Sequence, residues 1–267
     1  MTDTLGDRMK AYEGAESLRR ALPSLPIMIR VDGKSFSQWT KGLNYPFDLR
    51  MEEARRATTR ALIEELGAQI GYHQSDEISL VLYNPEPTAQ MYAGGRLQKI
   101  CSHAASIATA TWNQFARKNI SENKELAYFD ARVWTVPSLE EAANALLWRE
   151  LDATKNSVSM ACRSVYNHGE MKGKSTNEMK EMLFKKGIQW NDYDVWMKRG
   201  LFMARRTTER VLTSEELKEL PEKHHARLNP NMVVRRSEVK ALEMPPFSRV
   251  TNRAGVILGE EPLLSTV

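Results

Sequence analysis

Asp32, in Arg30-Val31-Asp32-Gly33-Lys34, and Asp76 with Glu77, in His73-Gln74-Ser75-Asp76-Glu77-Ile78-Ser79, are the residues of this chain whose types and spacing could do chemistry. Each motif sits against a short apolar run rich in β-branched residues. Residues 25–31 read as a buried strand ending at Asp32, and residues 70–72 with 78–82 read as a hairpin carrying its acids near the turn. If those strands are neighbours, three carboxylates converge on a volume where their repulsion is severe unless a divalent cation is bound. A Mg2+ site is the economical reading, although either motif alone is also an ordinary turn.

Phosphoryl and nucleotidyl transfer is the chemistry such a site serves, because charge passes onto phosphate oxygens and cations stabilise it, commonly two Mg2+ ions about 4 Å apart. Asp32 and Asp76 are the expected bridging ligands and catalytic acids. Gly33 lets the backbone approach closely, so its carbonyl could complete a coordination sphere and the amides after it could meet triphosphate oxygens. Glu77 is a third acid, a ligand or a tuner of the other two.

The elements that must position these residues follow from the pattern. Residues 7–24 have helical spacing up to Pro23. After the first strand, residues 46–65 form a strongly amphipathic helix closed by Gly67. The acid-bearing hairpin comes next, then a long helix over about 88–117 and a strand over 128–136 stopped by Pro137. Ser138 with Glu141 is a capping box, so a further helix starts there and runs to about Tyr166. Residues 169–176 are a Gly- and Lys-containing loop, 177–185 a short helix capped by Asn177 or Thr176, and 195–205 have strand character interrupted by Gly200. The remainder holds a charged helix near 214–220 and then a Pro-punctuated region.

The chain has 267 residues, 42% hydrophobic and 27% charged, which is enough for one large soluble domain with a core. No apolar stretch approaches the roughly 20 residues of a membrane span, and no secretory signal is visible at the N-terminus, so no membrane association and a cytoplasmic location are expected. Cys101 and Cys162 read as buried small residues, and His224-His225 as a solvated turn. The net charge of +4 permits a polyanionic partner without demanding one.

The order β, α, β-hairpin, α, β, with acids at the first strand end and the hairpin, is the layout of the nucleotidyl-transferring palm. The expected fold is therefore α+β: a palm-type antiparallel sheet with packed helices over residues 1–206, and a mostly irregular and helical C-terminal extension, 207–267, packed on the same domain. Fold alone does not fix the reaction.

Specific segments then carry a resemblance. Arg30-Val31-Asp32-Gly33-Lys34-Ser35-Phe36, Gln74-Ser75-Asp76-Glu77-Ile78-Ser79, Arg96-x-x-Lys99-x-x-Ser102, Phe129-Asp130-Ala131-Arg132 before Pro137-Ser138, Trp148-Arg149-Glu150-Leu151-Asp152 and Lys198-Arg199-Gly200 occur in that order. Together they resemble the tRNA(His) guanylyltransferase and related 3'-to-5' RNA polymerase family, over roughly residues 25–205. The resemblance implies a palm of reversed polarity, in which the 3'-hydroxyl of an incoming nucleotide attacks an activated 5' end of a tRNA. It implies Mg2+ as cofactor, with two ions, on Asp32, Gly33 and Asp76, and places Gly33, Lys34, Ser35, Phe36, Ser75, Arg96 and Lys99 near a nucleoside triphosphate, GTP or ATP. It places Arg149, Asn156, Lys198 and Arg199 on RNA, and implies a dimer or tetramer.

The departures narrow the expectation. Thr154 to Met160 stand where eukaryotic members carry His-x-Asn-Asn-Leu-Tyr-Asn, so only Asn156 is retained, and Ser37 and Tyr45 stand where those members carry a His and a Lys. The bacterial, archaeal and phage-like branch also lacks that run, and its members are similar to repair enzymes that extend truncated tRNA 5' ends against a template. That broader activity is the one expected. Two other readings stay open: a palm-type nucleotidyl cyclase, whose hairpin would usually be Gly-Gly-Asp/Glu-Glu/Phe-like rather than Gln-Ser-Asp-Glu, and a catalytically idle tRNA-binding protein. For the basic residues solvated faces and local ion pairs are the alternatives. Lys172-Gly173-Lys174 could meet phosphate, and Trp148 and Trp190 could stack on bases.

Overall fold

The structure, a computed structural model, describes residues 4–86 and 89–265. Strands Ile27–Gly33 (β1), Ile70–Gln74 (β2), Glu77–Leu82 (β3), Phe129–Thr135 (β4), Leu201–Val211 (β5) and Val233–Ala241 (β6) pair antiparallel in one sheet of order β4-β1-β3-β2-β5-β6. Helices Leu5–Ser17 (α1), Phe36–Trp39 (α2), Leu49–Leu66 (α3), Leu97–Asn119 (α4), Leu139–Arg163 (α5), His168–Met171 (α6), Thr176–Lys185 (α7), Val195–Arg199 (α8), Ser214–Glu219 (α9), His225–Leu228 (α10) and Arg253–Ile257 (α11) complete the chain. The first four strands with α3 and α4 between them make the split βαβ arrangement of a palm, as the sequence pattern predicts.

Strand alternation gives each face of the sheet its own core. Ile27, Ile29 and Val31 of β1 and Ile78, Leu80 and Leu82 of β3 face α3 and α4, packing with Leu62, Ile63, Ala104, Ala108 and Trp112. Met28 and Val81 face the other way and pack with Ala142, Leu146, Phe247, Val256 and Ile257 from α5 and the C-terminal segment. A smaller cluster joins the second half of α5 to α7 through Val158, Cys162, Leu183 and Trp190. No helix among the described residues is long and apolar enough to cross a membrane.

Local chemistry sets the helix ends. Asp48 caps α3 by accepting from the Arg50 N–H at 2.9 Å, and Gly67 closes it at φ 70. Ser138 caps α5, whereas the cap of α7 is Ser175, in a reciprocal capping box with Glu178, rather than Asn177 or Thr176. Three further expectations are corrected. Helix α1 stops at Ser17, because residues 19–21 run extended against the loop before α4, where the Ala21 N–H donates to the Gly95 carbonyl and the Leu97 N–H to the Arg19 carbonyl. Helix α4 starts at Leu97, since Ala93, Gly94 and Gly95 have φ of 52, 62 and 72, which a right-handed helix excludes. Residues 195–199 are helix α8 rather than strand. The strand β5 begins after Gly200, where φ is 73 and a Cβ would lie 2.4 Å from the His73 carbonyl oxygen.

The segment after residue 206 has the expected short helices and irregular stretches, and it also supplies β6, the sixth strand of the sheet. Strand β5 runs through residues 206 and 207, and β6 pairs with it from Met203↔Ala241 to Val211↔Val233. Its charged, weakly alternating sequence hides a ribbon whose pairing partner is its own neighbour.

Candidate active site

The end of β1 and the tip of the β2–β3 hairpin lie side by side. Asp32 is the register partner of Glu77 on β3 and of Asp130 on β4. Since Val31 and Ile78 enter the core under α3 and α4, Asp32 and Glu77 project from the opposite face, as does Asp130. Asp130 is exposed and was not anticipated as a neighbour of Asp32; the signal available was its place two residues before Arg132 on a strand adjacent to β1. Asp76 occupies the two-residue turn with Ser75, whose φ is 51. Burial and then the negative charge of Asp32, with a smaller push from Glu77, raise the Asp76 carboxyl to about 6 against hydrogen bonds from its own backbone and Ser75.

Glu77 differs from its two neighbours. It is buried, and the Arg149 guanidinium donates to both of its oxygens, Nε to Oε1 at 2.6 Å and Nη2 to Oε2 at 2.7 Å, while Arg30 Nε lies 4.0 Å from Oε2. A bidentate carboxylate of this kind is already neutralised. Among the described residues no group of three or more His, Cys, Asp or Glu side chains is placed to hold a metal ion. The candidate cation site thus has two carboxylates with no ion-pair partner within 4 Å among the described residues, Asp32 and Asp76, beside the Gly33 backbone, and Glu77 is a matched acid next to them.

The loop after Asp32 is built around an aromatic anchor. A Cβ on Gly33 would lie 2.2 Å from the Phe36 ring, so glycine permits Phe36 to fold back against the strand end. Phe36 is buried, stacked on Trp39 at 5.1 Å and edge-on to Trp112 at 5.1 Å, so its place is in the core beneath the loop. Lys34 and Ser35 are exposed; the Lys34 N–H donates to the Tyr128 carbonyl, and Ser35 has a left-handed φ of 54. Arg96 and Lys99 stand at the start of α4, in the layer behind the sheet. Arg96 Nε donates to the Ala93 carbonyl, and Cys101, two residues past Lys99, donates to the carbonyl of Ala131, the partner of Val31. Among the described residues no hydrogen bond or ion pair links Arg96 or Lys99 to the acids.

The four residues expected on RNA have intramolecular partners. Beyond Glu77, Arg149 donates to Asp152 at 3.1 Å, and Asn156 Nδ2 to the same carboxylate at 3.2 Å. Arg199 donates to Glu150 at 2.9 Å and to the Met244 carbonyl, and Lys198 to the Asn191 carbonyl. Trp190 is buried with its indole N–H on Ser157, whereas Trp148 is 56% exposed, with the Arg149 guanidinium 4.6 Å and that of Arg30 5.9 Å from its ring centroid.

Sequence reasoning also missed a buried polar network behind the hairpin. Glu52, Arg55 and Thr59 lie at i, i+3 and i+7 on the buried face of α3, and His73 faces them from β2. That polar stripe within an otherwise apolar helix face was the available signal. Burial pulls the Glu52 carboxyl upward, but the hydrogen bond from His73 and the charges of Arg55 and Arg56 outweigh it and hold it down at about 2.

Residues 6–137 match the family model described as tRNAHis guanylyltransferase. The fold is similar to a bacterial tRNA(His) guanylyltransferase-like protein solved in complex with ATP, at 33% identity and TM-score 0.78 over 96% of this chain and 98% of that one. It is similar to such a protein in complex with GTP at 32% identity and TM-score 0.72, with the same coverage. The tRNA(His) guanylyltransferase of Kluyveromyces lactis is 28% identical over 198 residues, 67% of this chain and 82% of that enzyme.

Proposed function

The chain belongs to the tRNA(His) guanylyltransferase family, and we propose that it is a Mg2+-dependent nucleotidyltransferase that adds nucleotides in the 3'-to-5' direction to the 5' end of tRNA, extending shortened ends against a template. The observation that carries the reading is the pair of unmatched carboxylates, Asp32 and Asp76, at the palm position, the second raised to about 6. Two carboxylates and the Gly33 carbonyl are hard oxygen donors, and Mg2+ is commonly held by one or two carboxylates together with substrate phosphates. The donor set therefore fits Mg2+, with Asp32, Asp76 and Gly33 as its holders. Mg2+ bound there would neutralise charge developing on phosphate oxygens.

In this reading the incoming nucleotide's 3'-hydroxyl, losing its proton, attacks the 5'-phosphate of the activated end, forming a phosphodiester and expelling the activating nucleotide as its monophosphate, and the chain's part is positioning. Lys34 and Ser35 face the triphosphate at the strand end, Phe36 anchors their loop, and Arg96 and Lys99 supply positive charge at the start of α4. The Arg149–Glu77 pair holds α5 against the hairpin, which leaves the outer face of α5 and the exposed Trp148 ring to meet RNA. ATP or GTP is the activating nucleotide, as the bacterial complexes with ATP and with GTP suggest, and the working form is a dimer or tetramer. Template-dependent repair rests on the sequence of residues 154–160, which lacks the run of the eukaryotic members apart from Asn156.

The test supplies tRNAs with intact and shortened 5' ends, each nucleoside triphosphate in turn, and either Mg2+ or chelator, and reads product length. Templated lengthening of shortened tRNAs that stops in chelator is expected. A cyclic nucleotide product without RNA, or RNA binding with no turnover, would reject the proposal.

A further inference from the structure

Arg55 reaches the hairpin tip from behind. It is 7% exposed, with Nε donating to Glu52 Oε2 at 3.1 Å and Nη1 donating to the Ser75 carbonyl at 3.1 Å. Glu52 is itself fixed. Its Oε1 accepts from Arg56 Nε at 2.7 Å and from His73 Nε2 at 3.3 Å, and His73 Nδ1 meets the Thr59 hydroxyl at 2.9 Å. The Trp196 ring of α8 lies 5.8 Å from the Arg55 guanidinium carbon. One planar group thus ties α3 to the single carbonyl that precedes Asp76.

Ser75 needs that tie. Its φ of 51 is a region L side chains rarely occupy, and such a residue persists only where its surroundings over-determine it. A guanidinium so deeply placed in the α3 layer is cut off from substrate, but it sets the orientation of the Ser75–Asp76 peptide. We infer that Arg55, anchored by Glu52 and His73, is a positioning residue that fixes the turn so that the Asp76 carboxylate is presented to the cation beside Asp32. The inference rests on the proposed function of that site.

Geometry and charge make opposite predictions here. Loss of the Arg55 charge alone would strengthen cation binding at Asp76, whereas loss of the clamp would weaken it. The clamp should dominate because Glu52, 3.1 Å away, already neutralises the guanidinium. Residues supporting a metal ligand typically change metal affinity by about 10- to 100-fold when replaced.

The experiment compares the full chain with Arg55→Met, Arg55→Lys, Glu52→Gln and Asp32→Ala. Mn2+ binding is read by calorimetric titration, and incorporation into tRNA is followed against Mg2+ concentration. Arg55→Met and Arg55→Lys should both weaken Mn2+ binding by about tenfold or more and raise the half-activating Mg2+ concentration in parallel, with the KM for tRNA within about twofold of wild type. Lysine keeps the charge but cannot span Glu52 and Ser75 with a planar fork. Wild-type Mn2+ affinity in both Arg55 variants, tighter binding in Arg55→Met, or lost incorporation at unchanged Mn2+ affinity would overturn the inference. If Arg55→Met fails to fold, Arg55→Lys and Glu52→Gln carry the same expectation, and wild-type Mn2+ affinity in both of them overturns the inference equally. Should the wild-type chain bind no Mn2+ and Asp32→Ala change nothing, the functional reading falls as well. If wild type and Asp32→Ala behave as that reading requires and only the Arg55 variants match wild type, the clamp alone is rejected.

Discussion

The two sides of the β2–β3 hairpin treat carboxylates in opposite ways. On the α3 side, Glu52 has Arg55, Arg56 and His73 as donors and sits at about 2. At the tip, burial and then the charge of Asp32 put Asp76 at about 6. Glu77, one residue on, is matched by Arg149. The matched acids hold α3 and α5 to the sheet. The unmatched pair is destabilising as it stands, and an external cation is what would satisfy it.

Breaking each side should separate function from stability. The largest effect is expected for Asp32→Ala and Asp76→Asn, which should lower incorporation of labelled nucleotide by about a thousandfold or more, an effect of at least ~4 kcal/mol on the barrier. Both variants should stay folded by circular dichroism, and near-normal incorporation would reject the assignment. Next is Glu52→Ala, which strands two arginines and should cost about 3–5 kcal/mol in urea unfolding. A loss under about 1 kcal/mol would show that the network is not the support described here.

Gly33→Ala follows, since the added Cβ would collide with Phe36 and must move the aromatic anchor; about 1–3 kcal/mol is expected from overpacking of this kind. Asp76→Asn supplies the opposite sign. It should raise stability at pH 7 by about 1–3 kcal/mol, seen as an upward shift in Tm, because keeping ionised a carboxyl that burial and Asp32 raise to about 6 costs the folded chain about that much.

The two acids also predict opposite pH slopes. Between about 4 and 6 the folded chain holds the Asp76 proton that the unfolded chain has released, so this group makes stability fall as pH rises through that window. Glu52 is the reverse: between about 2 and 4.5 the unfolded chain binds the extra proton, so its contribution is lost as pH falls. His73 is pushed down by burial, against the pull of Glu52, and stays neutral at pH 7. A difference melting curve between wild type and Asp76→Asn over pH 4–7 should isolate the first slope. A flat difference would mean that neither burial nor Asp32 raises the Asp76 carboxyl.

What was legible in the sequence is what local pattern encodes. The β-branched runs before Asp32 and after Glu77, the Asp48-to-Gly67 helix and the Ser138 cap are all settled within a few residues of chain, so the palm and the meeting of its acids could be read directly. The ribbon made by β6 and residues 206–211 of β5 could not, since those stretches have both faces largely polar and pair with each other. The start of α4 was hidden because three successive left-handed residues include Ala93, which nothing in the sequence marks. Within the candidate site, Asp32, Gly33 and Asp76 are proposed from type and position. The fates of Glu77 and Phe36 were not legible, because an acid in a motif looks the same whether Arg149 reaches it or not, and a ring looks the same above a loop or beneath it. Arg55 was missed for a related reason: its partner Ser75 is 20 residues away and offers a backbone carbonyl, which no sequence motif records.

The most direct measurement is calorimetric titration of Mn2+ into the wild-type chain at pH 7.5, alongside Asp32→Asn and Asp76→Asn. The account predicts binding in the wild type that is abolished or weakened by about two orders of magnitude in each variant. Equal Mn2+ affinity in all three would contradict it.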